Sequence, residues 1–372
     1  MTTIRLPGIG DYECAGARAL PADPAPSRSR VAFAAAHVVA DPYADSTSAI
    51  DWTATLRFRH HLWSLGLGIA DAMDTAQRGM GLSWDNAREL IIRSGAEAKA
   101  VGGRLACGAG TDQLTGPATL AEVLAAYEEQ VALVEEAGAQ VILMASPALA
   151  AAARGPEDYL AVYGKLLAQT KDPVILHWLG PMFAPALTGY WGSPDLDVAT
   201  GTLLELLRAN ASTVDGIKLS LLDADRERAL RATLPEGVRM YTGDDFNYSE
   251  LISEGSDALL GIFDPIAPVA AAALRALDNG DTASYAELFA PTVELSRLLF
   301  AAPTYHYKTG VVFLAWLTGH QDHFLMVGGQ QGARSVSHLA KVFTLADQAG
   351  LFTDPDLAAG RMRQLLSVAG MG

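Results

Sequence analysis

From about residue 31 onward the chain alternates short apolar or β-branched runs with longer amphipathic stretches, and this alternation constrains the fold more than any other feature. Strand and helix in turn is the pattern of a parallel sheet covered by helices, because each parallel strand needs a crossover before the next can pair. Eight runs qualify as strands: 31–39, 66–70, 104–109, 140–144, 173–177, 214–219, 239–242 and 258–263. Eight is the number that closes a (β/α)8 barrel, the TIM barrel of the α/β class. Between the runs, Leu120, Val123, Leu124, Tyr127, Val131 and Val134 recur at helical spacing over 119–137, with Gly138 as the stop signal. Stretches at 156–170, 201–209 and 268–279 supply further crossovers.

The flanks differ from this pattern. Residues 1–30, rich in Pro, Ala and Arg, predict an irregular N-terminal cover, residues 31–280 the barrel, and residues 281–372 a C-terminal helical region packed on it, with apolar stretches at 285–300, 310–317, 335–349 and 356–369. The insertion 182–197, carrying Tyr190 and Trp191, is long for a strand-to-helix connection. It follows strand five on the face where barrels hold active sites, which predicts a cover that excludes water.

Composition removes several classes of function. With 50% hydrophobic and 19% charged residues the chain has material for one large core, and a formal charge of -15 repels nucleic acid. Only Cys14 and Cys107 are present, so neither a disulfide framework nor a CxxC knuckle is available. The opening residues lack a basic patch followed by an apolar run, and no stretch of about 18 apolar residues suggests a membrane span. The expectation is a soluble, cytoplasmic protein with no membrane partner.

Side chains at the carboxyl ends of barrel strands face the reaction chamber. Lys218 lies near the end of the run Val214-Asp-Gly-Ile-Lys-Leu219 among apolar neighbours. Two readings are open. It either forms a surface ion pair with Asp215 or Asp223, or it faces the chamber, where desolvation lowers its pKa and frees a neutral amine to attack a carbonyl.

The order of several short segments bears on this choice. Pro173-Val-Ile-Leu-His-Trp178, Gly216-Ile-Lys218, Tyr241-Thr-Gly-Asp-Asp245 with 255–268, Ala109-Gly-Thr111, and Gly138-Ala139 with 142–147 stand at consistent spacing. Over roughly residues 31–350 the chain resembles the dihydrodipicolinate synthase and N-acetylneuraminate lyase superfamily of class I aldolases and dehydratases, as a divergent branch. The resemblance implies a Schiff base on Lys218 and a homo-oligomer, a dimer or tetramer.

The departures touch substrate and proton handling. His177 stands where the family has a catalytic tyrosine and could relay protons, or merely hydrogen-bond in a polar barrel mouth. The family's paired-threonine loop is Asp74-Thr75-Ala76-Gln77-Arg78 here, its aromatic pair is Ala148-Leu149, and its arginine has no counterpart among 179–185. Thr75 is expected to orient a substrate oxygen and Ser146 to replace the family threonine in a hydroxyl relay. Asp71, Asp74 and Asp264 are placed to hold substrate hydroxyls, or else lie in solvated loops. Asp244 follows the family pattern, as a substrate contact or as a support for its strand end.

The eight histidines include His320 and His323 beside Asp322, yet no HExxH or two-His-one-carboxylate spacing emerges, so no metal is expected. Gly102-Gly103 and Gly328-Gly329 are turn signals without a phosphate-loop pattern, so no cofactor is expected either. The leading expectation is a Schiff-base lyase, aldolase or dehydratase, acting on a small 2-oxo acid or sugar-derived carbonyl. Two others remain: a metal-dependent sugar isomerase or epimerase, which a chelator would silence, and a non-catalytic ligand-binding relative.

Overall fold

The computed structural model describes residues 2–20 and 25–371. A hairpin of β1 (Thr3–Leu6) and β2 (Gly10–Glu13) precedes eight parallel strands: β3 (Ala32–Ala35), β4 (Gly68–Asp71), β5 (Leu105–Ala109), β6 (Gln140–Leu143), β7 (Val174–Leu179), β8 (Val214–Ser220), β9 (Arg239–Thr242) and β10 (Asp257–Leu260). Neighbours pair in chain order and β10 pairs with β3, which closes a (β/α)8 barrel. All eight expected strands are present. The first and last are shorter than their apolar runs, ending at Ala35 and Leu260.

The barrel is filled, not hollow. Phe33, Met73, Ile142, Ile175, Tyr241 and Leu259 interdigitate inside it. Gly216 makes this possible, since a Cβ there would come within 2.7 Å of the Tyr241 ring.

Each crossover helix buries one stripe against the strands. Leu120–Glu136 begins at a capping box in which Thr119 and Glu122 satisfy each other's backbone N–H groups. Two long helices outside the expected set, Trp52–Ser64 and Trp84–Val101, cover β4 and β5. Their buried faces include Arg59 and Ser94, which both turn inward to Asp71. Among the described residues no helix is long and apolar enough to cross a membrane.

The N-terminal segment is more regular than expected. Its hairpin docks on the C-terminal helices, where Asp347 accepts from Tyr12 Oη at 2.8 Å and from the Ala15 and Gly16 N–H groups at 2.7 and 3.1 Å. The C-terminal helices Thr282–Leu299, Tyr307–Leu317, Val336–Gln348 and Pro355–Val368 pack together, and every residue of Tyr307–Leu317 is buried. From Val311 to Leu317 that helix is apolar all round, as suits a helix inside a core. Its first turn reaches the carboxyl-end face of the barrel, so this region forms part of the chamber wall.

Candidate active site

Lys218 is on β8, one residue pair across from His177 on β7 and Tyr241 on β9. Alternation along the strand turns its side chain inward, and it is 7% exposed. Gly243 makes room for it, since a Cβ there would collide with Ser220 Oγ and lie 2.9 Å from Lys218 Cε. Neither expected surface partner holds the amine. Asp215 accepts from Tyr241 Oη at 2.5 Å, and Asp223 caps the helix Ala224–Arg231. Among the described residues Nζ has no hydrogen bond and no ion pair.

The amine opens into a small chamber lined by Asp74, Thr75, Lys218, Ser220, Asp245 and Tyr307, with Leu179 and Phe183 on the outer side. The free space is about 10 Å³, room for a single water molecule. Burial pushes the Lys218 pKa down, and the carboxylates of Asp74 and Asp245 partly oppose that shift. The amine is thereby easier to hold neutral than an exposed lysine, as a nucleophile requires.

Asp245 is, with Asp74, one of the two carboxylates whose charge acts on this amine, and sequence reasoning did not select it. Burial raises its pKa to about 7, against lowering by the Ile262 N–H, which donates to Oδ1 at 2.9 Å, and by Lys218. Asp244, expected as a substrate contact or strand support, is the support. Its Oδ1 accepts from Phe246 and Asn247 N–H at 2.9 and 3.0 Å, and its Oδ2 from Asn247 Nδ2 at 3.0 Å.

The second residue absent from the sequence reading is Tyr307, first residue of the buried C-terminal helix. Its hydroxyl lies 2.8 Å from Thr75 Oγ1, and its ring stacks on Phe300 at 4.2 Å. Phe183 meets both rings edge-on, at 6.4 and 6.2 Å. Burial, then Asp74, raises the Tyr307 pKa well above that of an ordinary phenol, so it stays a proton-bearing donor.

The other expected residues divide. Asp74 and Thr75 border the chamber, in a short 3-10 turn flanked by Ala72 and Gln77 in left-handed conformations (φ 49° and 67°). Such backbone strain collects at functional sites. Gln77 Nε2 ties this turn to Val327 O at 2.8 Å. His177 faces inward but does not border the chamber; its Nε2 lies 3.1 Å from Ser220 Oγ, and burial, then Lys218, drives its pKa well below the usual imidazole value. Its ring is therefore held neutral and reaches the chamber only through Ser220.

Ser146 is a helix cap: its Oγ accepts from Leu149 N–H at 3.0 Å and meets Thr111 Oγ1 at 2.5 Å. It is not part of a relay at Lys218. Asp264 Oδ2 is held by His37, through the backbone N–H and Nδ1, both at 2.8 Å, instead of facing substrate. Asp71 is the buried partner of Arg59, with contacts of 2.8 and 3.1 Å. Tyr190 and Trp191 do not cover the site. They pack into an aromatic cluster with Tyr159, Tyr163 and Trp178, and the covering residues of that loop are Phe183 to Leu187. Among the described residues no group of three or more His, Cys, Asp or Glu side chains is arranged to hold a metal ion.

A family model described as "Protein of unknown function (DUF993)" matches residues 5–371. No curated protein matches. The fold is similar to that of dihydrodipicolinate synthase from Aquifex aeolicus, at 14% identity and TM-score 0.66, with 87% of this chain and 98% of that one covered. A prophage protein of the dihydrodipicolinic acid synthase family from E. coli K12, in complex with pyruvate, gives 15% identity and TM-score 0.68 over 87% of this chain and 100% of that one. A family protein from Coccidioides immitis gives 17% and 0.63 over 92% and 100%. At these identities the likeness is one of fold.

Proposed function

We propose, for a chain that belongs to the DUF993 family of proteins of unknown function and carries the dihydrodipicolinate synthase fold, that it is a Schiff-base-forming lyase acting on a small carbonyl compound. A 2-oxo acid is the first candidate, since two proteins of similar fold are described in complex with pyruvate. The observation that carries the reading is a buried lysine amine with no hydrogen bond or ion pair among the described residues, in one chamber with a carboxylate and a phenol.

The roles derive from the chemistry of the groups. Neutral Lys218 Nζ adds to the carbonyl carbon; one amine proton passes through the Tyr307 hydroxyl to the carbinolamine oxygen, and a second proton, from solvent, lets that oxygen leave as water, with Tyr307 protonated again at the end. The resulting iminium draws in the electron pair of a neighbouring C–H, C–C or C–O bond. Asp245, deprotonated above about pH 7, accepts the proton released in that step. Thr75 holds the Tyr307 hydroxyl at 2.8 Å and so fixes its direction. Ser220, positioned by His177, borders the same space. The carbonyl approaches from the outer side, past Leu179 and Phe183, whose apolar surfaces keep bulk water from the imine.

Borohydride reduction in the presence of pyruvate, other 2-oxo acids and small hydroxyaldehydes tests this, with peptide mass spectrometry to locate the product. One secondary-amine adduct is expected, on Lys218. Adducts scattered over surface lysines, or none, would remove the reading. Tyr307→Phe is expected to slow exchange of the bound compound's α-protons in D2O by about 100-fold, the scale of a lost proton donor. Thr75→Val, which frees that hydroxyl without removing it, should cost less. Equal losses in the two variants would assign Tyr307 a packing role only.

A further inference from the structure

We infer that the cavity just outside the Lys218 chamber is a binding site for an anionic group, a carboxylate or phosphate several bonds from the reacting carbonyl, and that Lys308 is the cation that receives it. The inference deepens the proposed lyase reading and rests on it for the position of the carbonyl.

This outer vestibule has a volume of about 840 Å³, and Asp74, Leu179 and Phe183 border both spaces. Its ionisable lining is Asp74, Arg78, Asp112, Tyr305 and Lys308. Arg78 is committed: its guanidinium is paired with Asp112 and donates to Gln130 Oε1 at 2.7 Å and to the Gly108 and Ala72 carbonyls at 2.8 and 3.3 Å.

Lys308 is not committed. It is 4% exposed, its Nζ reaches only the Tyr305 carbonyl at a long 3.4 Å, and among the described residues it has no ion pair. Its stem carries the amine over the Tyr307 ring, 5.0 Å from the centroid. A buried amine with donors left over is costly unless something supplies acceptors. An anion in the vestibule supplies them. Met80, Leu114, Met144, Leu179 and Leu187 make much of the remaining wall apolar, which suits a hydrocarbon stretch between the carbonyl and the anion. Burial pushes the Lys308 pKa down and the Asp74 carboxylate, which borders both spaces, partly opposes that shift, so Asp74 favours the charged amine without lying within ion-pair distance of it.

The test compares matched probes trapped on Lys218 by borohydride: 4-oxobutanoate against butanal, and glyceraldehyde 3-phosphate against glyceraldehyde. In the wild type the charged member of one pair is expected to half-saturate trapping at about 10-fold lower concentration or less, the scale of one charge-assisted hydrogen bond. The pair that shows the preference identifies carboxylate or phosphate. Lys308→Met should abolish the preference for the charged member, and Lys308→Arg should retain it, which separates charge from packing. No preference in the wild type, a preference that survives in Lys308→Met, or an adduct on Lys308 itself would overturn the inference. Should no probe label Lys218, the lyase reading fails, and the vestibule is then judged by calorimetry with succinate and inorganic phosphate. Binding lost in Lys308→Met supports the anion site, and absent or unchanged binding overturns it.

Discussion

Lys218→Arg is expected to lower α-proton exchange of a bound carbonyl compound by about 1,000-fold or more and to eliminate borohydride trapping, the scale seen when a covalent nucleophile is lost. The substitution retains a long basic side chain in the same place beside Gly243. It removes the free amine, because a guanidinium stays protonated throughout the accessible pH range and cannot form an imine. Proton NMR of a 2-oxo acid in D2O reads the exchange directly and needs no knowledge of the second half of the reaction. Exchange at wild-type rate in the arginine variant would place the chemistry elsewhere in the molecule.

Asp245→Asn separates imine formation from the later proton transfer. The expected result is an adduct that still forms on Lys218, with exchange slowed by about 100- to 10,000-fold, the usual contribution of a general base. The pH dependence adds a sign. Burial raises this carboxyl to about 7, so it is protonated and idle below that pH, and becomes competent as pH rises through it. Wild-type exchange should therefore climb with pH across an inflection near 7, and the asparagine variant should lose that limb. A surviving inflection would assign it to another group.

Asp244 and Asp245 show how close to the answer a linear reading comes. They are adjacent, of the same type, and both lie just beyond β9. Asp244 turns back on its own loop to satisfy the Phe246 and Asn247 N–H groups, while Asp245 is drawn over the chamber by the Ile262 N–H after β10. That second donor belongs to another strand end, so nothing in the local pattern separates the two. Helices 52–64 and 84–101 are obscured for a related reason. Arg59 and Ser94 occupy buried positions on their inner faces, and both are explained only by Asp71 on β4.

Properties set by neighbours along the chain were legible from residue order alone: eight short apolar runs, the crossovers between them, and a lysine near the end of the sixth run, whose inward direction only the family resemblance favoured. Strand alternation and helix periodicity are local, and a closed barrel converts them into position almost without choice. The identity of the groups facing that lysine was decided only in three dimensions. Tyr307 meets Thr75 across a separation of 232 residues, and Lys308 accompanies it into the vestibule. Burial likewise lowered the His177 pKa, and hydrogen bonds gave Asp264 and Ser146 partners in His37 and the Leu149 N–H. Desolvation and hydrogen-bond partnership depend on what packs alongside, and the C-terminal helices that bring Tyr307 and Lys308 to the chamber do so through tertiary contacts with no local sequence signal.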